Sequence, residues 1–412
     1  METKKILYIS GSLGLGHITR DLAIAGELRK LIPGAEIVWL AANPASDVLV
    51  EAGERLVPGA EKYANENLSA EKAAKGSSLN ILNYLLKSRK EWKKNIDFFL
   101  KLVSSEKYDL VIGDETYEIN IALREHPEIK NFPFVLILDF VGLDAMTRNP
   151  LEQLGVYYWN RVWSHDYTHH KKPPYELAIF VGEPEDVPDK SFGFRLPNRR
   201  EYARAFYTFV GYVFPFNPTE FTDKQKIKKS LGYGPKPLLI CSIGGTAIGK
   251  ELLEFCGKAF DIVKKKRPDI YAVFVTGPRL AAESVNLPEG IEVKGFVPCL
   301  FEHFAACDIA VIQGGATSAF ELAALHTPFI YFPLEGHCEQ ANVSRILTKR
   351  RIGIKMNLSS SSPEMLADKI VSTLGANISF PAIPTDGARK AAEAITKLLM
   401  GKPKIIKGLS LL

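Results

Sequence analysis

The chain alternates short runs of β-branched and aromatic residues with stretches whose apolar positions recur every three or four residues. That rhythm predicts parallel βαβ units, because a buried parallel strand is apolar on both faces and needs a crossover helix to return. "KILYIS" is the expected first strand. From about Ile18 a helix follows, with Ile18, Leu22, Ala25, Leu28 and Ile32 on one face. "EIVWLA" is the next strand. Leu79–Val103 then has Leu82, Leu85, Leu86, Trp92, Ile96 and Phe99 at helical spacing, with basic residues between them. "YDLVIGD" and "FVLILD" complete a first doubly wound unit. The pattern restarts at "KPLLICSIGG" and runs through "YAVFVTG", "IEVKGF", the amphipathic "CLFEHFAAC", "DIAVIQGG", a helix from about Ser318, and "PFIYFP".

Residues 141–205 break this rhythm. They are rich in aromatics, His, Pro and Arg and show no clear period, so an insertion or lid is expected there. The expected domains are 1–213 and 214–412, divided near "FPFNPTEF", with the last helix able to pack back on the first domain. The expected class is α/β: two facing, Rossmann-like doubly wound domains with a ligand cleft at the carboxyl ends of both strand sets.

Composition narrows the partners. A net charge of +5 over 412 residues does not call for nucleic acid, though it suits an anionic ligand or an anionic membrane surface. The five cysteines (Cys241, Cys256, Cys299, Cys307 and Cys338) are odd in number and form no C-x-x-C pair. A disulfide framework or zinc knuckle is not expected, and a cytoplasmic setting fits best. Lys4 and Lys5 precede too few apolar residues for a signal-peptide core, and no run nears the ~18 apolar residues that cross a bilayer. The basic, aromatic stretch Leu79–Val103 could lie on anionic lipid at the inner face of the membrane. The blander reading is a core-packed helix with a solvated basic face.

Three glycine loops carry candidate chemistry. "SGSLGLGHITRDLA", from Ser10, has Gly11, Gly14 and Gly16 between a strand and a helix. His17 and Ile18 stand where a Walker loop needs Lys and Ser/Thr. A dinucleotide fold needs G-x-G-x-x-G and an acid closing the second strand, and "WLAAN" offers none. What remains is a close-approach turn, with Gly14 and Gly16 on the acceptor side, presenting His17 at a helix N-terminus. There the imidazolium is disfavoured and a neutral ring can accept a proton. The bland alternative is a helix cap.

"QGGATSAFELAALHTPFIYFP" holds the second loop. Gly314 and Gly315 close a strand, Thr317 or Ser318 opens a helix, and Glu321 lies one turn inside it. Free N–H groups at such a start suit a diphosphate, and the Glu suits ribose hydroxyls. Glu339, Gln340 and Asn342 then cluster before another helix as polyol-binding side chains. In the third loop, "CSIGGTAIGKE", Glu251 replaces the hydroxyl a Walker loop needs. Gly244, Gly245 and Thr246 are left as a backbone cradle near phosphate.

The order of these motifs resembles the GT-B glycosyltransferases. The resemblance is to the branch with the lipid-linked N-acetylglucosaminyltransferases of cell-wall synthesis, the diacylglycerol glycosyltransferases and the macrolide and flavonoid glycosyltransferases. It implies that Gly314, Gly315 and Thr317 meet the donor diphosphate, Glu321 its ribose, and Glu339, Gln340 and Asn342 its sugar. Phe296 and Val297 would line the nucleobase pocket. His17 would be the general base oriented by Asp114, and Asp139 would lie near the acceptor. The first turn reads SLGLGH, where the cell-wall branch has GGTGGH. The implied reaction moves a sugar from a nucleotide diphosphate sugar, UDP-linked, to a hydroxyl of a lipid or small-molecule acceptor. It is inverting, with no cofactor and no metal, and no D-x-D motif is present. A nucleotide-sugar epimerase or hydrolase, or a non-catalytic nucleotide-sugar binding subunit, stays open as an alternative. "HDYTH", His165–His169, is a rival metal motif close to H-E-x-x-H.

Overall fold

The computed structural model describes residues 3–11, 15–64, 74–75, 78–79, 81–245, 249–376 and 378–401, of which 74–75, 78–79 and 81–89 by backbone alone. The chain forms two compact units. The first comprises Met1–Ala70, Ile81–Pro215 and Pro384–Leu412; the second comprises Glu71–Asn80 and Phe216–Ile383.

The strands are β1 (Lys5–Ile9), β2 (Glu36–Leu40), β3 (Arg55–Leu56), β4 (Ala74–Lys75), β5 (Ser78–Leu79), β6 (Leu110–Asp114), β7 (Phe134–Leu138), β8 (Leu177–Val181), β9 (Tyr207–Gly211), β10 (Leu238–Ser242), β11 (Tyr271–Val275), β12 (Ile291–Lys294), β13 (Ile309–Ile312), β14 (Phe329–Tyr331) and β15 (Ile354–Lys355). β4 and β5 pair only with each other, antiparallel. The first unit's sheet has the order β3-β2-β1-β6-β7-β8-β9, and the second's β12-β11-β10-β13-β14-β15. Every pairing in both is parallel. In each sheet the strand order reverses beside the first strand, at β1/β6 and at β10/β13. Such switch points open a crevice at the strands' carboxyl ends.

Strands β6, β7, β10 and β13 are buried at every residue, which is why they read as unbroken apolar runs. On one face of the first sheet, Ile18, Ile24, Ala25 and Leu28 share a cluster with Ala391, Ala392 and Ile395. These come from the helices Gly16–Leu31 and Gly387–Met400, so the chain's last described helix belongs to the first unit's core. Gly387 lets this last helix start against the backbone that follows β9: a Cβ there would lie 2.3 Å from the Tyr212 carbonyl oxygen.

The aperiodic stretch 141–205 is not one insertion. It contains helix Pro150–Trp163, helix Arg199–Phe206 and strand β8, which sits inside the sheet between β7 and β9. "LAIFV" is a single apolar run inside a stretch rich in aromatics, Pro and Arg, so it is lost among its neighbours on the linear sequence. "HDYTH" forms only a four-residue helical turn, His165–Thr168. Its Asp166 is paired with Arg124 at 2.7 Å, and the His165 and His169 rings stack at 4.3 Å. Among the described residues no metal-type cluster includes this motif. No described helix is long and apolar enough to cross a membrane.

Candidate active site and donor loop

The first unit's site lies at its switch point. The turn after β1 and the end of β6 meet closely: a Cβ on Gly11 would lie 2.8 Å from the Asp114 carbonyl oxygen. Gly11 therefore makes room for backbone. Gly16 opens the helix and His17 follows it, while Gly14 lies outside the described residues. His17 Nδ1 is 3.2 Å from Asp114 Oδ2, with His17 8% and Asp114 0% exposed. Asp139, just beyond β7, completes the set expected from the sequence.

The structure adds two residues. Arg20 lies one helical turn after His17 and is buried. Its guanidinium donates to both oxygens of Asp114, at 2.8 and 2.5 Å, and to Asp139 Oδ2 at 2.6 Å. It also donates to His17 Nδ1 at 2.8 Å. Glu115 directly follows Asp114 with φ of 51°, a left-handed conformation uncommon outside glycine, and this turns its carboxylate to within 3.7 Å of His17 Nε2.

These neighbours sort the acids by charge. Burial alone would push the Asp114 and Asp139 carboxyls up, but the Arg20 guanidinium holds both below the usual carboxylate range. Glu115 goes the other way: burial and then Asp139 push it well up, so it favours the protonated form. Asp21, buried and receiving hydrogen bonds from Tyr8 at 2.9 Å and Ser10 at 2.5 Å, is likewise raised, by burial and by Asp114.

His17 Nδ1 faces two incompatible partners. Toward ionised Asp114 it must donate. Toward Arg20, which has no acceptor, it must accept. With the shorter contact to Arg20, the neutral ring carries its proton on Nε2 and faces Glu115. His17, Glu115 and Asp139 also offer ligand atoms within 4.8 Å of one another, the spacing of a cation site, but Arg20 already engages Asp139 there.

The second unit gathers its candidates at the carboxyl ends of β10, β12, β13 and β14. Gly244, with φ of 83°, follows β10 with Gly245, and a Cβ on Gly277 would lie 2.3 Å from the Gly244 carbonyl oxygen. Thr246 lies outside the described residues. Gly314 (φ 93°) follows β13, and Gly315 precedes helix Ala316–Ala324, whose start has no side-chain cap. Thr317 and Ser318 sit in that first turn, leaving its N–H groups for an anion. Glu321 is buried, which pushes its carboxyl up to about 8. Phe296 (38% exposed) and Val297 follow β12. After β14 the expected polyol cluster is partly committed. Gln340 Oε1 accepts from the Leu334 N–H at 2.8 Å, and Asn342 Oδ1 accepts from Arg345 at 2.9 and 3.1 Å. Glu339 is half-buried at the start of helix Cys338–Arg350.

Residues 239–398 match the glycosyltransferase family 28 C-terminal domain. An uncharacterized glycosyltransferase of Methanosarcina mazei is 23% identical over 380 residues, covering 89% of both chains. The solved glycosyltransferase of kitacinnamycin superposes over 97% of this chain and 96% of its own with a TM-score of 0.59 at 14% identity. This chain has the GT-B fold and carries a glycosyltransferase family 28 C-terminal domain. A shorter match, 27% identical over 28% of the transferase and 32% of the relative, is to the UDP-N-acetylglucosamine–N-acetylmuramyl-(pentapeptide) pyrophosphoryl-undecaprenol N-acetylglucosamine transferase of Carboxydothermus hydrogenoformans. The transferase carries its matched family domain mainly on the second unit, where the uncapped helix start and buried Glu321 lie.

Proposed function

We propose that the transferase moves a sugar from a nucleoside diphosphate sugar, UDP-linked, to an acceptor hydroxyl with inversion and without a metal ion. The observation that carries this reading is the buried His17–Asp114 contact at the first unit's switch point. With the acceptor in place, the His17 ring proton moves to Nδ1, where Asp114 accepts it in place of the Arg20 contact of the free chain. His17 Nε2 then takes the acceptor proton, the acceptor oxygen bonds to the anomeric carbon, and the bond from that carbon to the diphosphate breaks on the opposite side. Asp114 stabilises the imidazolium that results. The departing diphosphate is met by the open N–H groups of helix Ala316–Ala324, with Glu321 at the ribose and Glu339 at the sugar. The Arg20 guanidinium in the carboxylate cluster supports the metal-free reading, since it supplies the positive charge a cation would bring.

His17→Ala is expected to retain donor binding by calorimetry and to lose transfer by roughly 10²–10⁴-fold. Transfer at the wild-type rate would remove His17 from the base role. Sugar release from the donor at an equal rate with and without acceptor would favour a hydrolase.

A further inference from the structure

Eleven buried side-chain polar atoms among the described residues have no hydrogen-bond partner, and all lie in the first unit. Seven come from two stretches, Glu91–Asn95 and Thr116–Arg124. An unpaired buried polar group costs about 1–3 kcal/mol, so such a concentration needs a reason. Trp92, Tyr117 and Asn120 are half-buried, so each borders solvent while its polar atom is shielded.

Their neighbours are aromatic. Tyr117, Phe140 and Trp163 form a triangle with ring centroids 5.2–5.9 Å apart, and Trp92 meets Trp159 edge-on at 5.7 Å. Trp159 and Trp163 are one turn apart on helix Pro150–Trp163, and Tyr117 and Asn120 one turn apart on helix Tyr117–Glu125, so each pair shares a helix face. Three of the chain's four tryptophans are thus in this patch, which begins beside the acids of the first unit's site: Phe140 follows Asp139 and Tyr117 lies two residues from Glu115.

We infer that this patch binds the acceptor, and that the acceptor is a neutral, hydroxyl-rich ring compound of the glycoside class, not a phosphorylated one. The inference rests on the first unit being the acceptor side, as proposed above. Asn120 Oδ1 and the Glu91 carboxylate oxygen Oε2 can only accept, while Trp92 Nε1 donates and the Tyr117 hydroxyl does either. Sugar hydroxyls satisfy both kinds, and the ring's apolar face lies on the aromatic surface. A phosphate would set its anionic oxygens against Glu91 and Asp139. Arg20 is already engaged by Asp114 and Asp139, and the charge of Arg124 is balanced by Asp166 through Nη2, which leaves only its Nε without a partner.

The test uses the full chain without donor. Tryptophan emission is followed during titration with methyl and octyl β-glycosides of glucose, galactose and N-acetylglucosamine, and with farnesyl phosphate. Saturable change with a glycoside, at least tenfold tighter than with farnesyl phosphate, is the expected result. A methyl glycoside binding as well as its octyl counterpart marks a free sugar as sufficient; an octyl preference marks a glycolipid. Tyr117→Phe keeps its ring and removes only the O–H, while Trp92→Phe keeps a smaller aromatic face and removes the indole N–H, and each should weaken binding about three- to tenfold. Tighter binding of farnesyl phosphate, no binding of any glycoside, or unchanged affinity in both variants, with folding verified by circular dichroism, overturns the inference. His17→Ala binding glycosides normally yet transferring at the wild-type rate would instead overturn only the base assignment.

Discussion

Arg20 holds the acidic residues of the first site together. One guanidinium serves Asp114, Asp139 and His17 at once, and both its carboxylate partners are buried or nearly so. Removing one partner of such a group leaves charge in a poorly solvated place, a loss of about 3–5 kcal/mol. Arg20→Gln is therefore expected to lower stability by about that amount at pH 7. Asp114 and Asp139 are held down in the folded state, so their contribution is present above the unfolded aspartate pKa of about 3.9 and is lost as pH falls through the folded values. The gap between wild type and variant should narrow below about pH 4, as measured by thermal unfolding across pH. The same substitution frees Asp114 to accept from His17. Without acceptor, histidine ¹⁵N spectra should show the Nε2–H tautomer in the wild-type chain and Nδ1–H in the variant. An Nδ1–H ring in the wild type would contradict the Arg20 contact.

At the scale of elements, helix Gly387–Met400 braces the helix that carries His17. Ile395 is fully buried against the cluster that includes Ile24 and Leu28. Ile395→Ala should cost about 2–5 kcal/mol in chemical denaturation, with transfer falling as the brace loosens. The doubly wound pattern of both units was legible because buried parallel strands have to be apolar throughout. His17 was legible because it opens a helix at the sheet's carboxyl end, while Asp114 and Asp139 were legible only through the resemblance to the GT-B glycosyltransferases. Arg20 was not, since a single arginine on an amphipathic helix looks solvated. Its position three residues after His17, on the same face, was the available signal. Glu115 was hidden for another reason: its side chain reaches the site only through a left-handed backbone. Strand β8 was hidden by its setting, a single apolar run inside an aromatic stretch with no clear period, although Pro174 and Gly182 bracket it. Gln340 read as a sugar ligand, yet its amide oxygen braces its own loop at Leu334.

Across the whole molecule, the two units repeat one design with opposite electrostatics. The first concentrates carboxylates around one arginine. The second offers open helix N–H groups and one buried acid. Glu321, raised to about 8, binds its proton more tightly in the folded chain than in the unfolded one. Its share of stability is present below about pH 4.5 and is lost as pH rises toward 8, each tenfold gain in proton affinity being worth about 1.4 kcal/mol. Glu321→Gln should match wild type near pH 5 and melt several degrees higher near pH 8. Parallel melting curves at both pH values would mean that Glu321 has the same proton affinity folded and unfolded.

The first unit is assembled from both ends of the chain, with Phe216–Ile383 threaded between its pieces. A ribosome adding about 5–20 residues per second needs roughly 10–40 s to travel from Pro215 to the end of the last brace at Met400. During that interval the His17 helix is already outside the exit tunnel with one side of its core uncovered, while the second unit is still being made. The helix that carries His17 is thus expected to wait for its brace until the whole of the second unit has been made.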